Sequence, residues 1–85
     1  MNVTFSPNAE KQASKLPKPV LKKLKKQADF LRENPRHPSL RSRKMTGENK
    51  YEARIDYHNR FTYLVEGDEI IILTVGPHDE GLGKK

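Results

Sequence analysis

The sequence predicts an α+β fold in the order β-α-α-β-β-β, with an N-terminal helical hairpin packed on one side of a small, mostly antiparallel sheet. Three observations carry this. Prolines at 7, 17, 19 and 35 cut the first third of the chain into two helix-length segments. Residues 51–56 alternate strictly between apolar and polar. The turn signals Tyr57-His58-Asn59 and Glu66-Gly67-Asp68 then divide the C-terminal half into three β-prone runs. Helices first and strands afterwards make an α+β domain rather than a parallel α/β one.

Asn2-Val3-Thr4-Phe5 is short and β-prone, and Ser6-Pro7 supplies an N-cap and a first helical position. The first helix is expected over roughly 7–15. It is interrupted at Leu16-Pro17-Lys18-Pro19, because proline restricts its predecessor and cannot donate its own hydrogen bond. The second helix restarts there, with Val20, Leu21, Leu24, Ala28 and Leu31 spaced as one buried stripe, and stops at Asn34-Pro35. From Arg36 to Lys50 periodicity is lost, and the segment reads as a basic connector. Tyr51, Ala53 and Ile55 then share one face of a strand whose other face carries Glu52, Arg54 and Asp56. The second strand is Arg60–Val65 and the third Glu69–Val75, whose unbroken apolar run Ile70-Ile71-Ile72-Leu73 suits a position inside the sheet or covered on both faces.

The chain has 85 residues, which bounds it to one domain over 1–85, and no internal repeat or linker is visible. Leu, Ile, Val and Phe supply 19 of the 85, so the core is thin and a bound partner is the expected source of additional stability. There is no cysteine, which removes disulfides and thiolate zinc sites. The N-terminus has no basic stretch leading into an apolar one, and the longest apolar run is four residues. A soluble, cytoplasmic protein without membrane contact is expected.

Net charge is +6, unevenly placed. Residues 11–50 hold 13 Lys/Arg against 3 acids, whereas residues 51–85 hold 4 against 7. A basic segment of this density reads either as a polyanion-facing surface or as a solvated helix face followed by a loop. The lysines at 22, 23, 25 and 26 sit between the apolar positions of the second helix and fit both readings.

The three histidines, at 37, 58 and 78, lack the spacing that puts two ligands on one helix face, so neither a metal nor another cofactor is expected. No glycine-rich phosphate loop and no Gly-x-Ser-x-Gly elbow is present. What remains is a set of cations and histidines near strand ends. Alternation places Arg54 on the open face, Arg60 lies across the turn from it, and His78 follows the last strand. Two guanidinium groups aimed at one phosphate, with a histidine to move a proton, suffice in principle for metal-free RNA cleavage by the adjacent 2′-hydroxyl. The same residues also suit plain structure, with Arg60 paired to Glu52 or Asp56 and His78 closing a turn.

The stretches Lys44-Met45-Thr46-Gly47, Tyr51-Glu52-Ala53-Arg54-Ile55, Asn59-Arg60-Phe61-Thr62-Tyr63 and Ile71-Ile72-Leu73-Thr74-Val75-Gly76-Pro77-His78, in that order, resemble the RelE/ParE superfamily of toxin-antitoxin toxins, close to its RelE-type members. The resemblance covers nearly the whole chain. It implies a microbial-RNase-like α+β fold and an endoribonuclease that cuts mRNA, often in the ribosomal A site, and is silenced by a cognate acidic antitoxin. It further implies that Arg60 contacts the scissile phosphate, that Arg54 supports the transition state, and that His78 donates or accepts a proton. His37-Pro38-Ser39-Leu40 is similar to a segment of a related subgroup in which the histidine takes part in catalysis. Arg41, Arg43 and Lys44, with Lys22 and Lys26 of the second helix, would contact RNA. Two departures stand out. Glu52 occupies a position where well-known RelE proteins carry a lysine base, which leaves Glu52, His37 or His78 to take the proton, and no tyrosine follows Tyr63. The ParE-like alternative on the same fold is a DNA gyrase inhibitor that binds and cleaves nothing.

Overall fold

The computed structural model describes residues 1–45 and 49–77. Its elements run β1 (Asn2–Phe5), α1 (Pro7–Ala13), α2 (Lys18–Glu33), a 3₁₀ turn at Pro38–Leu40, β2 (Arg43–Lys44), β3 (Lys50–Arg54), β4 (Asn59–Glu66) and β5 (Glu69–Pro77). The five strands form one sheet in the order β1-β5-β4-β3-β2, in which only β1 and β5 pair in parallel. The expected α+β class and helical hairpin are present.

Local chemistry sets the helix boundaries. Ser6 caps α1, its Oγ accepting from Ala9 N–H at 3.0 Å, with Pro7 in the first turn. The helix ends at Ala13, two residues short of the expected limit, because the turn at 14–16 is needed before Pro17 and Pro19 restart the chain as α2. The Ser6 hydroxyl also donates to Leu73 O at 3.2 Å, and Gln12 Oε1 accepts from Val75 N–H at 2.7 Å. Side chains from the first helix thus satisfy the edge of β5 beyond the point where β1 stops, at Phe5 opposite Ile72.

One face of the sheet meets the helices. Ala53, Ile55, Phe61, Tyr63, Ile70, Ile72 and Val75 pack against Ala9 and Ala13 of α1, Leu24, Ala28 and Leu31 of α2, and Leu40. A register shift at Thr62/Tyr63 pairs Tyr63 with Ile72 while Phe61 pairs with Val75, so both ends of β5 send core residues inward despite their odd spacing. β5 lies inside the sheet between β1 and β4, as its apolar run suggested.

Two expectations are corrected. The segment after Arg36 is not patternless, for it holds the 3₁₀ turn and β2, a short edge strand pairing Arg43 with Glu52 and Lys44 with Tyr51. Asp56 lies in the β3–β4 turn rather than in the strand, because its carboxylate serves the turn's own amides. Oδ1 accepts from His58 N–H and Asn59 N–H, both at 2.9 Å, and from the Asn59 side chain at 3.0 Å.

Candidate functional site on the open sheet face

The face of the sheet away from the helices presents Glu52 and Arg54 from β3, Arg60 and Thr62 from β4, and Thr74 and Gly76 from β5. Strand alternation sends these outward because Ala53, Phe61 and Val75 between them go into the core. Register aligns them in rows. Arg54 stands directly opposite Arg60, which stands opposite Gly76, while Glu52, Thr62 and Thr74 form the next row. The two threonine hydroxyls share a 2.6 Å hydrogen bond.

Like charges directly opposite each other on a sheet are destabilising. Yet among the described residues neither arginine has a carboxylate partner, the ion pairs there being Lys23–Asp56, Arg32–Asp29 and Arg43–Glu52. Arg60 instead donates through Nη1 to the backbone carbonyls of Asp56 at 2.9 Å and of Tyr57 and Asn59 at 3.3 Å. That anchors one end of the guanidinium in the turn. Arg54 is partly buried, and its Nε is enclosed without a hydrogen-bond partner among the described residues. An enclosed donor of a permanently charged group facing a second cation is a local conflict, and such conflicts concentrate at functional sites. A tetrahedral oxyanion between the two guanidinium groups would relieve it.

Gly76 completes the row by leaving room. A Cβ there would meet no atom within 4 Å, so a side chain can be added at this position, where it would stand beside Arg60. Gly76→Leu is therefore expected to leave the thermal midpoint within a few degrees of wild type. It should weaken binding of a phosphate-bearing ligand beside the arginines at least about tenfold by filling the space that ligand needs. Paired melting curves and binding titrations check this.

The other candidates are placed as follows. Glu52 lies on the open face but is 7% exposed, and Arg43 Nε donates to its Oε1 at 3.2 Å across β2–β3. The Arg43 side chain is 69% exposed, so one side of its guanidinium holds Glu52 while the rest faces solvent. Lys44 is exposed on the same edge strand, and Arg41 is exposed at the end of the 3₁₀ turn, with φ +48°. His37 is engaged in the helix layer. Its ring stacks on Phe30 at 3.9 Å between centroids, and Nδ1 accepts from Ser39 N–H at 3.2 Å as the cap of the 3₁₀ turn. With Nδ1 so used, the neutral imidazole carries its proton on Nε2. Lys26 lies 6.0 Å over the Phe30 ring, and Lys22 is exposed one turn earlier. Lys23, Lys26, Gln27, Phe30, Ser39 and Ile55 line a shallow cleft of about 240 Å³ there. His78 lies outside the described residues.

Gln27 escaped the sequence reading. Its side chain, 7% exposed, donates from Nε2 to Ser39 O at 2.9 Å and to Arg54 O at 2.7 Å, tying the His37 turn and the end of β3 to α2. The available signal was a polar residue three after Leu24 and four before Leu31, on the apolar stripe itself.

Among the described residues, Asp56 and Tyr63 are shifted from their ordinary values. Burial of Asp56 works to raise its pKa, but the hydrogen bonds from Asn59 and His58 and the charge of Lys23 outweigh it and hold the carboxyl below its usual value. Burial, reinforced by nearby Tyr51 and opposed by the hydrogen bond to Ser42, pushes the Tyr63 phenol up. Tyr63 faces the core and keeps its proton at neutral pH. Among the described residues no group of three or more His, Asp or Glu could hold a metal ion, and no helix is long and apolar enough to cross a membrane.

Residues 3–82 match the family model described as the ParE toxin of the type II toxin-antitoxin system parDE. No curated protein matches the sequence. Among solved structures, YafQ from Escherichia coli strain BL21(DE3) superposes with a TM-score of 0.80 at 15% identity, over 96% of this chain and 98% of that one. A YoeB/ParE toxin from Agrobacterium tumefaciens gives 0.78 at 14% identity, over 92% and 99%. The archaeal RelE of a RelE–RelB complex from Pyrococcus horikoshii OT3 gives 0.77 at 24% identity, over 89% and 92%. These likenesses show the fold.

Proposed function

Since the chain belongs to the ParE-toxin family of type II toxin-antitoxin systems, we propose that it is an endoribonuclease toxin that cleaves mRNA on the ribosome without a metal ion. The observation that carries this reading is the Arg54–Arg60 pair, two arginines at directly opposed positions of β3 and β4 on the open face with no carboxylate partner among the described residues. In the reaction the 2′-hydroxyl loses its proton and its oxygen bonds to the adjacent phosphorus. The bond from phosphorus to the 5′-oxygen breaks, and that oxygen takes up a proton, leaving a 2′,3′-cyclic phosphate and a 5′-hydroxyl. Arg54 and Arg60 bind the non-bridging oxygens, where negative charge grows in the transition state. The partly buried Arg54 works in a lower dielectric than bulk water, which strengthens the contact.

The proton carriers come from Glu52, His37 and His78. Glu52 is the one the described sheet face itself carries, with Arg43 Nε donating to its Oε1. A pH–rate profile of the three alanine variants assigns the roles: loss of the limb on the acid side marks the base, and loss of the alkaline limb marks the acid. Arg41, Arg43, Lys44, Lys22 and Lys26 supply counterion-releasing contacts to the RNA backbone.

Solved relatives include a RelE–RelB complex and a YoeB–YefM complex from Staphylococcus aureus. A cognate acidic antitoxin is the corresponding partner here, covering the basic surface, stabilising a thin core and silencing the site in the cytoplasm. The ParE name in the family model's description is the ground for a second reading, a ParE-like toxin that acts by binding DNA gyrase and cleaves no RNA. One experiment separates them. Purified protein is incubated with mRNA, with and without translating ribosomes, and in parallel with gyrase and relaxed plasmid. Fragments ending in 2′,3′-cyclic phosphate with supercoiling intact are expected, whereas uncut RNA with supercoiling blocked rejects the nuclease.

A further inference from the structure

We propose that the β3–β4 turn is a nucleobase-stacking platform, on which Tyr57 receives an unpaired base of the single-stranded RNA whose phosphate lies between Arg54 and Arg60. The inference rests on the ribonuclease reading above and extends its site beyond the sheet face. Tyr57 is 78% exposed, the most exposed large hydrophobic side chain among the described residues. A lone exposed aromatic is ordinary by itself, but this one is displayed by an unusually fixed turn. The Asp56 carboxylate accepts three hydrogen bonds from His58 and Asn59, Ile55 N–H donates to Asn59 O at 2.9 Å, and Arg60 Nη1 donates to three carbonyls of the turn, that of Tyr57 among them. The turn is organised before any ligand arrives, so a base landing on it costs little loop-ordering entropy.

Position and chemistry select the ligand. Arg60, which stands opposite Arg54 in the sheet, also holds the Tyr57 backbone, so platform and candidate phosphate site are joined through one residue. The His58 ring stands nearly perpendicular to that of Tyr57, 4.9 Å between centroids at 82°, which buttresses the tyrosine while most of its surface stays exposed. Lys23, whose side chain is 58% exposed, lies 4.0 Å from Asp56, so a second cation besides Arg60 stands at the turn. An aromatic surface set among cations suits a single strand, because every base has a stackable face and every linkage a charge. An acidic protein segment would use the cations and has less need of the free ring.

The chain contains no tryptophan, so Tyr57→Trp places a single fluorescent indole on the turn. The probe is a short single-stranded RNA with every 2′-hydroxyl methylated, which binds without being cut. The indole fluorescence of the Tyr57→Trp variant should be quenched by the single strand and little changed by a duplex of the same sequence. Tyr57→Ala should weaken binding roughly 5- to 150-fold with an unchanged melting temperature, and Tyr57→Phe should restore it. The loss should also vanish on an oligonucleotide made abasic at the contacted position. Wild-type affinity in Tyr57→Ala, no measurable binding by the wild type, or an indole signal that answers only to an acidic peptide overturns the proposal. Cleavage of unmethylated RNA is scored separately. Quenching without cleavage keeps the platform and rejects the nuclease, and cleavage indifferent to Tyr57→Ala does the reverse.

Discussion

Arg60→Ala is expected to lower the rate of RNA cleavage roughly 100- to 1,000-fold, the effect of removing one preorganised donor from a developing oxyanion. The loss should fall mainly on kcat, since in the proposed reaction the charge that Arg60 meets is largest in the transition state. Lysine should recover little of it. The guanidinium holds three turn carbonyls through Nη1 and has further donors to offer an anion, and an ammonium on a flexible stem cannot do both. Because these carbonyl bonds also serve the fold, some drop in melting temperature is expected, and rates belong at a temperature where circular dichroism shows the variant folded. Arg54→Ala separates the two roles. It removes a charge that faces another charge and whose Nε has no partner among the described residues, so stability should hold or rise while cleavage falls comparably. A fall of both together would mean that the pair serves the fold. Single-turnover cleavage and thermal melts on the two variants decide this.

The sequence makes the open face legible for a simple reason. The period of a strand is fixed at two, so three apolar residues at 51, 53 and 55 suffice to place Arg54 outward, and a short turn then brings Arg60 opposite. Ser6-Pro7 was similarly readable because capping acts over three residues. Pairings that depend on distant parts of the chain were not readable. Nothing local in Asn2–Phe5 says that it lies parallel to β5, nothing in Arg43 says that it closes on Glu52 across a two-residue strand, and nothing in His37 says that its ring stacks on Phe30. The same holds for Gln27, which reads as a polar blemish on an apolar stripe until α2, the 3₁₀ turn and β3 meet around it. The chemistry of Arg54 and Arg60 shows a similar limit. Alternation gives their face, and only the register and the surrounding ion pairs reveal that they stand together without a carboxylate among the described residues.

Phe61→Ala, one position along the same strand from Arg60, is expected to lower folding stability by about 3–5 kcal/mol, the range for deleting a fully buried aromatic. Phe61 is 0% exposed, lies between Ala53 and Val75 across the sheet, and packs at 5.8 Å against the Tyr63 ring. Few large groups could collapse into the space. Ala53 is small, and four of the thirteen buried hydrophobic residues among those described are alanines. A chain of this length has a total stability of roughly 4–13 kcal/mol, so the loss is a large fraction of the whole. The melting temperature should fall by roughly 12–40 °C, and Phe61→Leu should recover much of it by refilling the cavity. Any residual folded fraction should cleave RNA with unchanged intrinsic kinetics, because the arginine row stands on the opposite face. Excess antitoxin should raise the midpoint of Phe61→Ala by binding only the folded form. Arg54 and Phe61 thus test the strand's alternation from both sides. One should lose activity while keeping its fold and the other should lose its fold while keeping its chemistry, and the same phenotype in both would mean that β3 and β4 do not separate core from site as their register states.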